Sequence, residues 1–171
     1  EVHFGSKLSN LILQGNKVVG AKTADGNSFS AKAIILSTGH SARDVYELLQ
    51  RQNILIESKG FAMGVRVEHP QELIDQIQYH SKKKDPFLPA ATYNLVQQVD
   101  GRGVYSFCMC PGGHIVPAST AKDELVVNGM SSSKRNSAFA NSGIVVEIRP
   151  EDLPDYNKNN LCGLELKKTI E

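Results

Sequence analysis

The chain contains no tryptophan, only three cysteines in 171 residues, and no methionine at its first position. An odd, small number of cysteines cannot build a disulfide framework, so a reducing cytoplasm is the expected compartment. No apolar run approaches the roughly 20 residues needed to span a bilayer, and no signal peptide opens the sequence. Charge of either sign is not in excess: the formal net charge is +1, which argues against nucleic acid or an anionic membrane as partner. The longest basic run, Lys82-Lys83-Lys84, is followed at once by Asp85 and reads as a solvated loop. A start at Glu1-Val2-His3-Phe4, already strand-like, suggests an excised segment of a longer protein.

What is present is a chain of ordinary globular composition, long enough for one real core or two small lobes. Its most informative stretch is Ala33-Ile34-Ile35-Leu36-Ser37-Thr38-Gly39-His40. A continuous apolar run is the pattern of a parallel strand buried on both faces. Its abrupt exit into Ser37-Thr38-Gly39 lets backbone approach a ligand closely, because Gly39 has no Cβ. Ligands in open α/β sheets bind beyond the carboxyl ends of strands. Ser41 then offers an N-cap, with Asp44 three residues on. Val45, Leu48 and Leu49 fall at helical spacing, predicting a helix over 42–51.

Before this stretch, residues 2–30 predict a three-stranded meander with turns at Gln14-Gly15-Asn16 and Asp25-Gly26. After it come a strand over 60–68 and a helix near 70–79, argued by Pro70 at its first helical position and by Leu73, Ile74 and Ile77. A hairpin follows, Thr92–Val99 with Val104–Met109 about Asp100-Gly101-Arg102-Gly103. Short strands are expected at Ile115-Val116 and Leu125–Val127, a polar loop over 131–142, a strand over 143–149, and a helix starting near Cys162 and running toward Glu171. Strands and helices do not alternate regularly. The expected class is α+β: an antiparallel, β-rich domain with a β-meander, part of a parallel sheet and few helices.

Several of these segments together resemble a known family. The meander leading into Ala33–Gly39 resembles the central part of flavoproteins with two dinucleotide-binding domains. More narrowly, Ser37–Asp44, Phe61–Pro70, Phe107–Gly113 and Val127–Ser131 resemble uncharacterised bacterial FAD-dependent dehydrogenases. The resemblance implies a fragment of FAD-binding domain over 1–45, a β-rich substrate or cap domain over 46–150, and a C-terminal segment over 151–171. It implies an FAD-binding parallel sheet ending at the Ser37-Thr38-Gly39 turn. It also implies FAD as cofactor of the longer protein, with NAD(P) use open, and a small-molecule substrate.

The family's Gly-x-Gly-x-x-Gly fingerprint is absent. Gly101-Arg102-Gly103 is the nearest imitation and sits in a hairpin with no helix after it. Without the phosphate-binding helix start, this chain alone is not expected to hold FAD tightly or to turn over. The expected partners are therefore the FAD-binding segments of the parent chain, or a second copy through the edge of Ala33–Thr38. The competing reading is a non-catalytic binding or assembly module.

The candidate cofactor contacts are Ser37, Thr38, Gly39, Gly112 and Gly113, and the candidate catalytic residues are His40 and Cys110. Cys108 and Cys110, two apart on a strand, would share a face, either as a flavin-facing pair or as small core residues. Metal binding would need further ligands that the spacing does not supply, so no metal site is expected. Pro111-Gly112-Gly113 exposes N–H groups to a cofactor or simply makes a tight turn. His40 can act as an acid/base or as an ordinary loop residue. Arg43 in a first helical turn suggests an anionic partner. Arg66 and Glu68 share a strand face and are expected to pair. Ser131-Ser132-Ser133-Lys134 has an acyl-transfer spacing without its partner motifs, and Arg135 and Asn136 lie in the same loop.

Overall fold

The computed structural model describes residues 1–119, 122 and 124–170, which form two compact units, Glu1–Glu57 and Ser58–Glu171. The division falls after Glu57, so the helix expected at 42–51 belongs with the meander. Residues 151–170 belong with the β-rich unit.

The first unit is the expected antiparallel meander, β1 (Leu8–Gln14), β2 (Lys17–Thr23) and β3 (Ser28–Ser30), in that order. Gln14 and Lys17 close a two-residue loop in which Gly15 takes φ +57°. The β2–β3 turn is held by Asp25, which accepts from Thr23 Oγ1 and from Asn27 Nδ2 at 2.9 Å. Helix α1 (Arg43–Arg51) buries Val45 and Leu48, one helical turn apart. Just past its end, the Gln52 carboxamide mimics a neighbouring strand. It accepts from Leu11 N at 2.9 Å and donates to Leu11 O at 2.8 Å.

Three expectations fail in this unit. Residues 1–7 form no strand, and Phe4 is 92% exposed. Ser41 does not cap α1: the N-cap position is Ala42, with no side-chain cap bond, and Ser41 Oγ instead meets His40 Nδ1 at 3.2 Å. Most consequentially, Ala33–Thr38 is not a strand, has no strand partner among the described residues, and leaves Ile35 91% exposed. A parallel strand needs flanking strands to satisfy its backbone and cover both faces. The described residues contain only antiparallel pairings, so no parallel sheet forms.

The second unit is built on a four-stranded antiparallel sheet of β4 (Phe61–Pro70), β5 (Val96–Val99), β6 (Arg102–Cys110) and β9 (Phe139–Ile148). Its spatial order is β4-β9-β6-β5. A separate hairpin pairs β7 (Gly113–Pro117) with β8 (Val127–Ser131). The β5–β6 turn has φ > 0 at both central residues, Asp100 (+49°) and Gly101 (+75°), as a type I′ hairpin requires. The nearest imitation of a phosphate loop is thus a hairpin turn.

β9 begins at Phe139, four residues before the expected strand, and part of the expected polar loop is its first half. Asn141 and Ser142 are fully buried there because β9 lies between β4 and β6. Leu125 is 80% exposed and outside β8, which starts at Val127. Beyond β9 a 3-10 turn (Pro150–Asp152) leads to helix α3 (Cys162–Ile170); Glu171 lies outside the described residues.

Helix α2 (Gln71–Tyr79) starts after Pro70, which is its N-cap and the last residue of β4. Pro70 is therefore one residue before the first helical position expected for it, and the buried face of the helix is partly polar. Gln71, Ile74 and Asp75 face inward, while Leu73 and Ile77 are 48% and 53% exposed. Ile74 joins Ala91 and Ala140 in a small core flanked by Tyr79, Tyr93 and Met109.

Candidate functional site

The predicted site residues divide between the two units. Ser37, Thr38, Gly39 and His40 lie on the irregular, exposed segment of the first unit. Gly39 takes φ +77°, and a Cβ built on it would meet nothing within 4 Å, so its backbone is open to an approaching group. Cys110, Gly112 and Gly113 lie in the second unit.

Pro111, Gly112 and Gly113 are buried. Gly112 takes φ +50°, and a Cβ there would stand 2.0 Å from Arg135 O. A Cβ on Gly113 would stand 2.5 Å from Met130 O. The Gly112 N–H donates to Gln71 Oε1 at 2.7 Å, and Ser131 Oγ donates to Pro111 O at 2.8 Å. Close packing of backbone on backbone accounts for both glycines.

Behind this turn is a buried polar network that the sequence does not announce. Gln71 Nε2 donates to Asp75 Oδ1 at 2.9 Å and to Ala91 O at 3.0 Å, and Ala91 N donates to Asp75 Oδ1 at 2.8 Å. Lys84 Nζ stands 3.2 Å from Asp75 Oδ2. Burial pushes the Asp75 carboxyl up, but the Ala91 amide, Gln71 and Lys84 outweigh it and hold the group below its ordinary value. The inward polar face of α2 is thereby explained, since each buried polar group has a partner.

The two strand cysteines do not follow simple alternation. The β6–β9 register shifts between Phe107 and Cys110, and Cys108 takes φ +47°, the signature of a bulge. Cys108 is exposed and Cys110 is half-buried. The alternation that would put residues two apart on one face is therefore broken between Cys108 and Cys110.

The bulge instead brings backbone to Arg66. Arg66 Nη1 donates to Cys108 O at 3.2 Å and to Asn141 Oδ1 at 2.5 Å, and lies 3.9 Å from Cys110 Sγ. On the sheet, Arg66 is opposite Gly143 and Glu68 is opposite Asn141, so the arginine reaches diagonally over a residue without a side chain. Gly129 of β8 lies against this cluster. A Cβ there would stand 2.1 Å from Arg66 Nη1, 2.3 Å from Asn141 Oδ1 and 2.7 Å from Cys110 Sγ. The expected Arg66–Glu68 pair does not form: no carboxylate lies within 4.0 Å of Arg66 among the described residues. Asn141, with its buried Nδ2 unpartnered, is the residue that sequence reasoning missed. It sits where the Ser/Asn-rich composition reads as loop.

On the other face of the sheet the His69 and Tyr93 rings meet at 5.5 Å, with His69 Nε2 buried and unpartnered. Burial raises the Tyr93 phenol above its ordinary value, against smaller opposing effects of Ser142 and Arg66. No cluster of three or more His, Cys, Asp or Glu suited to a metal occurs among the described residues. No helix among them is long and apolar enough to cross a membrane.

The second unit, starting at Ser58, coincides with a known domain. Residues 60–171 match the family described as FAD-dependent protein, C-terminal domain-like. The chain belongs to this family. It is also 43% identical over 173 residues to a protein of Clostridium beijerinckii (strain ATCC 51743 / NCIMB 8052) bearing the name "Uncharacterized protein". That match covers 100% of this chain and 32% of the relative. The chain thus spans about a third of the relative's length.

Proposed function

We propose that this chain is part of an FAD-dependent oxidoreductase, with residues 58–171 as its substrate or cap domain and residues 1–57 as a piece of its FAD-binding domain. The observation that carries this reading is the coincidence of the family match, starting at residue 60, with the second compact unit, starting at Ser58. The match to about a third of the relative supports a division of labour with further segments of a longer polypeptide.

Of the residues present, the open backbone around Gly39 fits an approaching cofactor, with Ser37, Thr38 and His40 beside it. Gly112 and Gly113 do not fit that role, because their backbone is already packed and bonded. FAD, when bound by the longer protein, supplies a two-electron acceptor; the protein supplies binding, orientation and exclusion of water. The exposed apolar segment Ala33–Thr38 is the element that the FAD-binding segments would cover, since it has no strand partner among the described residues.

The test is a visible spectrum and FAD titration of this chain beside the full-length Clostridium beijerinckii relative. A yellow relative and a colourless, non-binding chain support the reading. A relative that binds no FAD overturns it in favour of a binding or assembly module. Stoichiometric FAD on this chain alone overturns the division of labour.

A further inference from the structure

Arg66 and Asn141 form a group rich in donors and poor in acceptors. A guanidinium carries five N–H groups. Those on Nη1 meet Cys108 O, Asn141 Oδ1 and Cys110 Sγ, all uncharged acceptors. Nε and Nη2 have no partner among the described residues. Asn141 is 0% exposed, and its amide Nδ2 adds two more N–H groups with no acceptor. The direction of that amide is fixed, because its oxygen is the atom that receives Arg66.

A half-buried cation without a counter-charge, joined to a buried orphan donor, is costly unless an acceptor arrives. The carboxylate nearest in sequence does not provide it. Glu68, on the same strand face, is exposed and more than 4.0 Å away. Arg66 itself is half-buried, and Cys108, whose carbonyl it meets, is exposed.

We propose that Arg66 and Asn141 bind the carboxylate of a small organic acid, with Gly129 leaving the space in which they meet. The guanidinium fork matches two carboxylate oxygens, and the Asn141 amide supplies a further donor. A single negative charge balances Arg66. A phosphate dianion would add charge beside Glu68 and is disfavoured. The proposal deepens the reading above by naming the substrate class of the second unit.

The experiment is a titration of the 15N-labelled chain with sodium acetate, followed through the Arg66 Nε–H and Asn141 side-chain NH2 signals. Sodium phosphate at equal ionic strength is the parallel arm. Saturable shifts of both signals with acetate are expected, weakened at least tenfold in Arg66→Gln. Asn141→Asp places a carboxylate inside the group and is expected to abolish the titration with the fold kept, which decides the matter if Arg66→Gln does not fold. Absence of saturable shifts, unchanged shifts in either variant, or tighter binding of phosphate than of acetate overturns the proposal. FAD does not enter this titration. Its failure leaves the flavoprotein reading standing, and a relative without FAD leaves the carboxylate site standing.

Discussion

Replacing Gln71 with leucine keeps the volume of a 5% exposed side chain and deletes three hydrogen bonds. The Gly112 N–H and the Ala91 carbonyl lose their partner, and the Asp75 carboxylate loses one of its donors. An unsatisfied buried polar group costs about 1 to 3 kcal/mol, and two such groups are left bare beside a weakened carboxylate, so the total is about 3 to 5 kcal/mol. With a urea slope of about 1 to 3 kcal/mol per molar, the midpoint should fall by about 1 to 5 M. Four of the five tyrosines lie in the second unit and the chain has no tryptophan, so tyrosine emission during urea unfolding reports on that unit. Gln76→Leu is the control, because Gln76 donates only to exposed Glu72, at 3.2 Å. Equal midpoints for the two variants would refute the argument that Gln71 locks the Pro111-Gly112-Gly113 turn.

The same network sets a pH dependence. The Asp75 carboxyl titrates below its ordinary value in the folded chain, so its contribution is full above the ordinary carboxylate range and is lost as pH falls through the folded value. Urea midpoints of the native chain should therefore drop on acidification below about pH 4, more steeply than those of Asp75→Asn. In the first unit, Gln52→Ala removes both bonds to the Leu11 backbone. A loss of about 1 to 2 kcal/mol is expected. It should be read as faster hydrogen exchange at the Leu11 amide, with the β2–β3 amides unaffected.

The meander, the β5–β6 hairpin and helices α1 and α2 were legible in the sequence, since each rests on local signals, although the hairpin turn is two residues where four, Asp100 to Gly103, were expected. Asp-Gly takes positive φ at small cost, and apolar residues recur at helical or strand spacing. The failures are of another kind. Ala33–Thr38 has the composition of a buried parallel strand, yet a strand is completed by its neighbours, and the described residues contain none for it. Phe139–Ser142 reads as the end of a polar loop, yet it lies between β4 and β6, so small polar side chains became its buried surface.

The candidate site shows the same divide. From residue type alone Gly112 and Gly113 could serve equally as a tight turn or as open backbone for a cofactor. That their backbone is closed off by Arg135 and Met130 did not follow from the sequence, because those residues are close only in the folded chain. Likewise, the strand period places Arg66 and Glu68 on one face and makes them natural partners. The bulge at Cys108 and the glycine at 143 decide otherwise, turning the guanidinium toward Asn141, 75 positions along the chain. By itself the sequence determined the elements, the turns and the residue types available for chemistry, because these depend on neighbours along the chain. Which polar groups are buried, which are paired, and which are left wanting an acceptor was decided only by tertiary structure, because those properties belong to contacts across the sheet.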